Sequence, residues 1–238
     1  MNGIQSIKHI PHVLLGLAIL ALGATSASAQ QTLVQYGTAN TTSLAPAVVD
    51  PSVTASNLGA GSGLGLNTGS TFNFNSWNIT STSFENALAA DDVWTWDFSV
   101  ADPNALVDLA TLDIRLDRST QGPDDFEIRA SINGGASTSI LIGDFAGGSV
   151  GVNYLGVDLS SLAGLTFGDS VRFTLAAWNA TSALGTFDLE TITFPGGTDG
   201  LTIRGNVSVI PEPSTTLLFA LGLGGLASIR RREANVQR

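Results

Sequence analysis

Period-two alternation of apolar and polar residues runs through the middle of this chain. Trp94, Trp96, Phe98 and Val100 alternate with Val93, Thr95, Asp97 and Ser99, the pattern of a strand with one buried face. Leu112, Ile114 and Leu116 fall opposite Asp113, Arg115 and Asp117, and Phe126, Ile128 and Ile132 fall opposite Glu127 and Arg129. Val171, Phe173, Leu175 and Ala177 repeat the alternation. Further strands are predicted over 33–36, 48–53, 71–80, 139–145, 149–158, 187–194 and 201–209. A change of parity between Phe74 and Trp77 predicts a bulge in one of them. Turn residues punctuate the runs: Asn133-Gly134-Gly135, Gly164 to Asp169, and Pro195-Gly196-Gly197. The strands over 112–116 and 126–132 are predicted to pair as a hairpin across 118–125. Their outward charges then meet across the ladder, each pair worth about 0.2–1 kcal/mol.

About ten short strands with no soluble helix predict an all-β fold. The architecture expected is an antiparallel two-sheet sandwich, jelly-roll-like. Alternating glycines from Gly59 to Gly65 lack the lysine and the βα setting of a phosphate loop. They read as flexible surface loop.

Both ends obey other rules. Lys8 precedes an apolar run over 13–22, and Ala27-Ser28-Ala29 then precedes Gln30. This is a secretory signal peptide over 1–29, with cleavage between Ala29 and Gln30. At the far end stand Pro211-Glu212-Pro213, an apolar run over 215–229, and Arg230-Arg231-Arg232. As a helix that run spans about 22 Å, short of the ~30 Å hydrocarbon core. Gly222, Gly224 and Gly225 weaken it further. The prolines hold the preceding backbone extended, and the arginines favour the cytoplasmic side. The ectodomain is therefore 30–210 and the tail 211–238.

The three-part tail resembles the PEP-CTERM sorting signal of Gram-negative bacteria. The match lies in Pro211, Glu212, Pro213, the hydrophobic helix and the cluster Arg230, Arg231, Arg232. The resemblance implies an exported protein whose tail passes through the membrane transiently and is processed by an exosortase. It also implies a cell-envelope or extracellular-matrix setting in organisms that make exopolysaccharide and biofilm. The order of strand, Gly122-Pro123, strand and Asn133-Gly134-Gly135 is similar to the β-sandwich ectodomains often found with such tails.

Composition removes whole classes of chemistry. The chain has no cysteine, its two histidines are His9 and His12, its only lysine is Lys8 and its only methionine is Met1. The ectodomain therefore has no means of Ser-His-Asp or Cys-His catalysis, zinc binding through His or Cys, or Schiff-base formation. Its cations are Arg115, Arg118, Arg129, Arg172 and Arg204, while most of the chain's acids share that interval. Nucleic acid is excluded as a partner, because its affinity rests on Lys and Arg. Acidity for solubility alone and an acidic surface for calcium or neutral sugars both fit.

Three candidate sites emerge. Asp124, Asp125 and Glu127, with Asp91 and Asp92, are acidic loop residues of the kind that bind calcium. Their alternative role is turn formation. No other cofactor is expected. Trp178, Trp77 and Tyr154 are aromatic candidates for stacking on sugar rings, Trp178 having the outward parity of Arg172 and Thr174. Core burial is the competing role. Asp188 and Glu190 share a strand face, as do Asp113 and Asp117. Paired carboxylates about 5–9.5 Å apart hydrolyse glycosides, whereas a solvated outer face needs no such function. The expected function is non-catalytic binding of the extracellular polysaccharide matrix. A structural or adhesive biofilm protein is the alternative, and a glycoside hydrolase the more distant one.

Overall fold

A computed structural model of the chain describes residues 30–145, 151–192 and 199–210. The early strands are short: β1 (Gln31–Tyr36), β2 (Ser43–Leu44), β3 (Val48–Val49), β4 (Val53–Ala55), β5 (Leu58–Ala60), β6 (Gly65–Leu66) and β7 (Phe72–Asn75). A helix α1 (Phe84–Ala89) follows. The longer strands come next: β8 (Val93–Val100), β9 (Ala105–Arg118), β10 (Asp125–Ile132), β11 (Thr138–Asp144) and β12 (Val152–Asp158). The chain then runs through β13 (Ser170–Trp178), β14 (Phe187–Leu189) and β15 (Leu201–Val209).

These strands form two antiparallel sheets. The first has the order β3-β1-β15-β9-β14-β7-β6, with β12 also on β9. The second has the order β11-β10-β13-β8-β5-β2, with β4 also on β8. The spine of the first is β9, fourteen residues long. Arg115 sends its N–H to Gly200 and accepts from the Glu190 N–H. One edge of β9 is thus shared end to end by β15 and β14, and β12 holds the other.

The alternation predicted from sequence packs the sandwich. Leu112, Ile114 and Leu116 face inward from the first sheet, and Trp94, Trp96, Phe98, Phe173 and Leu175 face them from the second. Trp96 stacks on Phe173 with centroids 5.2 Å apart and planes 7° apart. Phe72, Trp77 and Phe187 surround Trp94, with centroids 5.1–6.2 Å away. Such pairs add about 0.5–1.5 kcal/mol each beyond their burial.

Several expectations are corrected. No hairpin joins 112–116 to 126–132: β9 lies in the first sheet and β10 in the second. The segment between them is an arch across the sandwich. Arg118 ties it down by donating to Gly122 O (3.1 Å) and Phe145 O (3.0 Å) and pairing with Asp124 (2.5 Å). The predicted cross-ladder charge pairs therefore do not form. Fifteen strands are present among the described residues rather than about ten, because the Gly- and Ser-rich early segment contributes short edge strands.

The parity change after Phe74 is a strand end. Ser76 takes a left-handed φ of 67° and swings Trp77 back into the core. The glycine segment is no free loop either. Gly61 donates to Val93 O (2.7 Å), and a Cβ at Gly61 or Gly63 would collide with the backbone around Asp91. Only a side chain of bare hydrogen permits that approach. The strand predicted over 187–194 is only three residues long, and Pro195-Gly196-Gly197 lies outside the described residues.

Candidate functional site

The outer face of the first sheet carries a row of interlocked polar side chains. Asp113, Arg115 and Asp117 leave β9 on the side opposite its core residues. Arg115 Nε pairs with Glu190 Oε2 at 3.0 Å, and its Nη1 donates to Asn153 Oδ1 at 3.2 Å. Arg204 Nε pairs with Asp113 Oδ2 at 3.2 Å and donates through Nη1 to Thr32 Oγ1 at 3.0 Å. Asp113 Oδ1 accepts from the Gly156 N–H at 2.7 Å. Thr202, buried on the same face, donates to Asp199 at 3.0 Å.

Asp188 is the exceptional member. It sits on β14 between two core residues, Phe187 and Leu189, so its side chain points outward. In register it lies opposite Asn73 on one neighbour and Asp117 on the other. A solvated carboxylate is the ordinary state of such a position, yet only 7% of Asp188 is exposed. Burial pushes its carboxyl from the usual 3.8 up to about 7. The Thr71 hydroxyl, donating at 3.0 Å, acts against that rise. Glu190 and Asp117 add to it, and Arg115 opposes it. The result is a carboxyl that keeps its proton well above the ordinary carboxylate range, and while protonated it can donate as well as accept. Sequence parity assigned Asp188 and Glu190 to one outer face correctly. The burial depends on which strands flank β14, and no residue pattern records that.

The second sheet's outer face is covered in part by α1. Ser83 caps it, its Oγ accepting from the Asn86 N–H at 3.3 Å. Phe84 and Ala87 pack on Val93 and Ala176, with Trp178 against the same cluster. Arg129 binds the patch together. It donates to both oxygens of Glu127 (2.8 and 2.9 Å), reaches Glu85 (2.9 Å), and lies 3.8 Å from the Phe84 ring centroid. The expectation of no soluble helix is corrected by α1, whose overlooked signal is a capping serine followed by Phe-Glu-Asn-Ala-Leu-Ala.

The aromatic candidates do not form one platform. Trp77 is a core residue, 1% exposed, its Nε1 donating to Phe74 O at 2.9 Å. Its candidacy for glycan stacking is therefore overturned. Trp178 has the predicted outward parity, but α1 packs on it and leaves it half-buried. Tyr154 is half-buried and meets Phe126 edge-on at 5.3 Å. Burial and the nearby Asp144 hold its phenol above the usual range.

The acidic candidates are likewise drawn apart. Asp124 turns to Arg118, Asp125 accepts from the Asn179 amide, and Glu127 is held by Arg129. Strand alternation separates Asp124 from the other two. Asp91 accepts from the Ser62 N–H and hydroxyl at 2.5 and 2.7 Å, and Asp92 from the Asn78 N–H at 2.7 Å. Among the described residues no three acidic or histidine side chains converge to hold a metal ion. The calcium centre expected at Asp124, Asp125 and Glu127 is not assembled, because each carboxylate satisfies a different part of the fold.

The sequence signals lie mostly beyond this frame. Gln30 is the first described residue and is exposed. Ala27, Ala29 and the tail residues Pro211, Glu212, Pro213, Arg230, Arg231 and Arg232 lie outside the described residues. No helix among the described residues is long and apolar enough to cross a membrane. The last described residue, Ile210, donates its N–H to Asn104 O at 2.7 Å, so the sheet reaches the edge of the tail. The described residues thus define an antiparallel two-sheet β protein whose last strand runs up to the residue before Pro211. Residues 209–232 match the PEP-CTERM protein-sorting motif, which supports an exported, exosortase-sorted protein and implies an envelope or extracellular location. No curated protein matches the chain.

Proposed function

We propose that the ectodomain is a non-catalytic binder of matrix polysaccharide. In this reading the apolar run over 215–229 holds the precursor in the membrane until the exosortase acts. The observation that carries the binding role is the polar row on the first sheet. Arg115, Asn153, Glu190 and Asp188 present planar donors and acceptors that are positioned by one another and partly withdrawn from water. Sugar hydroxyls need both kinds of partner. A prepositioned, partly desolvated row supplies them with less rotamer entropy to lose. Protonated Asp188 fits as a neutral donor and acceptor on that row.

A second reading, structural self-association, has its own support. Among the described residues, strands β11 and β12 each pair on one side only, and expose Ile142 and Leu155. Unpaired strand edges are templates for other chains. Both edges are bulged, between Ile128 and Arg129 in register with β11 and between Tyr154 and Val157 on β12, and bulges discourage open-ended pairing. This favours the binding role over assembly.

Co-sedimentation of the 30–210 piece with the producing cell's exopolysaccharide tests the proposal. Saturable binding that is lost in Arg115→Ala supports it. Equal sedimentation of wild type and variant, or none by either, overturns it. Self-sedimentation without polysaccharide supports the second reading.

A further inference from the structure

One rim of the sandwich collects the chain exit and a braced, exposed phenylalanine. Strand β15 runs toward this rim and ends with Val209 opposite Ala105. Val107, two residues further along β9, exchanges backbone bonds with Leu165 at 2.8 and 3.0 Å. Gly168 donates to Val100 O at 3.1 Å, where β8 ends. The turn from Gly164 to Asp169 therefore lies on the rim from which the tail departs. Phe167, at its tip, is 61% exposed, and Val209 and Ile210, across β9 on the same rim, are 75% and 41% exposed.

A single exposed phenylalanine is ordinary, but this one is held out by the bracing of its turn. Asp108 accepts from the Gly164 N–H at 2.7 Å. Asp169 accepts from the Thr166 N–H and hydroxyl at 2.8 and 2.9 Å, and from the Asn133 amide at 2.7 Å. The turn that carries the exposed Phe167 is thus braced from both sides.

The tether limits where this rim can be. From Ile210 to Thr215, where the apolar run begins, at most about 17 Å of chain is available at ~3.5 Å per residue. The polar layer of a bilayer takes up roughly 6 Å of that. We infer that, in the unprocessed precursor, the rim bearing Phe167, Val209 and Ile210 rests on the bilayer surface with Phe167 seated in its interface. The inference rests on the proposed membrane anchoring of the tail. Asp102 and Asp169 stand on the same rim and the ectodomain has no lysine, so the surface suits zwitterionic rather than anionic headgroups. Aromatic side chains favour that interfacial zone.

The test uses the full precursor in phosphatidylcholine vesicles containing spin-labelled quencher lipid. The chain has no cysteine, so single Cys variants carry one environment-sensitive fluorophore each. Phe167→Cys reports the rim, Ser214→Cys the anchor, and Leu184→Cys the exposed loop between β13 and β14. Blue-shifted, lipid-quenched emission at 167 and 214, with neither effect at 184, is the expected result. A label at Ser208→Cys should lose quenching when Phe167→Ser is added. Quenching at 214 with none at 167, or a Ser208 label indifferent to Phe167→Ser, overturns the inference while anchoring stands. No quenching at 214 removes the anchoring and the inference with it.

Discussion

Asp188 and Asp117 stand directly opposite one another across the ladder between β14 and β9. Like charges at such a position are destabilising, and burial keeps the proton on Asp188. The folded state thus holds a proton that the unfolded chain releases near the ordinary carboxylate value. Wherever the folded state binds more protons, stability falls as pH rises. The contribution of Asp188 is fully present below about 4, declines by about 1.4 kcal/mol per pH unit toward 7, and is absent above. Asp91, Asp158 and Asp169 are shifted the other way by their hydrogen bonds, so the total profile is a sum. The difference between wild type and Asp188→Asn isolates the part due to Asp188. Urea midpoints should show the variant gaining on wild type from pH 4 to about 7 and levelling off above it; parallel profiles throughout would contradict the raised carboxyl.

The same proton links to the proposed function. Polysaccharide binding by wild type should weaken as pH rises through about 7, where Asp188 ceases to donate. Asp188→Asn should bind with little change over that range. Reducing-end assays on the bound polysaccharide should show no product at any of these pH values. Product that disappears in Asp188→Asn would replace the binding role with hydrolysis.

Arg129 is expected to be the most sensitive polar residue of the second sheet. Arg129→Met leaves Glu127 nearly buried without its cation, at a cost of about 3 kcal/mol, the lower end for a broken buried pair. Glu85→Ala, at the exposed end of the same network, should leave the melting temperature almost unchanged. Glu127→Gln added to Arg129→Met should recover part of the loss. Thermal melts of the four proteins check the order.

Trp77→Ala should cost about 3–5 kcal/mol as a core truncation, seen as a lowered urea midpoint. At low denaturant the folded fraction should bind polysaccharide as wild type does. Selective loss of binding with stability intact would restore Trp77 as a contact residue.

Millimolar calcium or chelator should leave the melting curve of the 30–210 piece unmoved. Each of Asp124, Asp125 and Glu127 is already committed to a donor within the fold. A calcium-dependent rise that vanishes in Asp125→Asn would show that Asn179 yields its carboxylate to the ion.

The strands β8, β9 and β13 were legible because each buries one face against the opposing sheet, which writes a period of two into the residues. The partners of those strands were not. The residues from Arg118 to Asp125 suit a hairpin or an arch equally, and the choice rests on where Arg118 finds its carbonyls. Trp178 shows the same limit at one position. Its parity gave the correct face, but α1, about ninety residues earlier, decides how much water it sees. Asp188 is the converse, a carboxylate on the right face whose solvation was set by distant strands. The sorting motif of the tail was readable because a linear address is recognised as sequence and needs no fold to assemble it.

The bond from Ile210 N–H to Asn104 O leaves almost no slack between domain and address. Severing the chain after Ile210 leaves every pairing of the two described sheets in place. A cut even two residues earlier would unzip Val209 from Ala105. Pairing thus engages the backbone of the last strand up to the residue before Pro211.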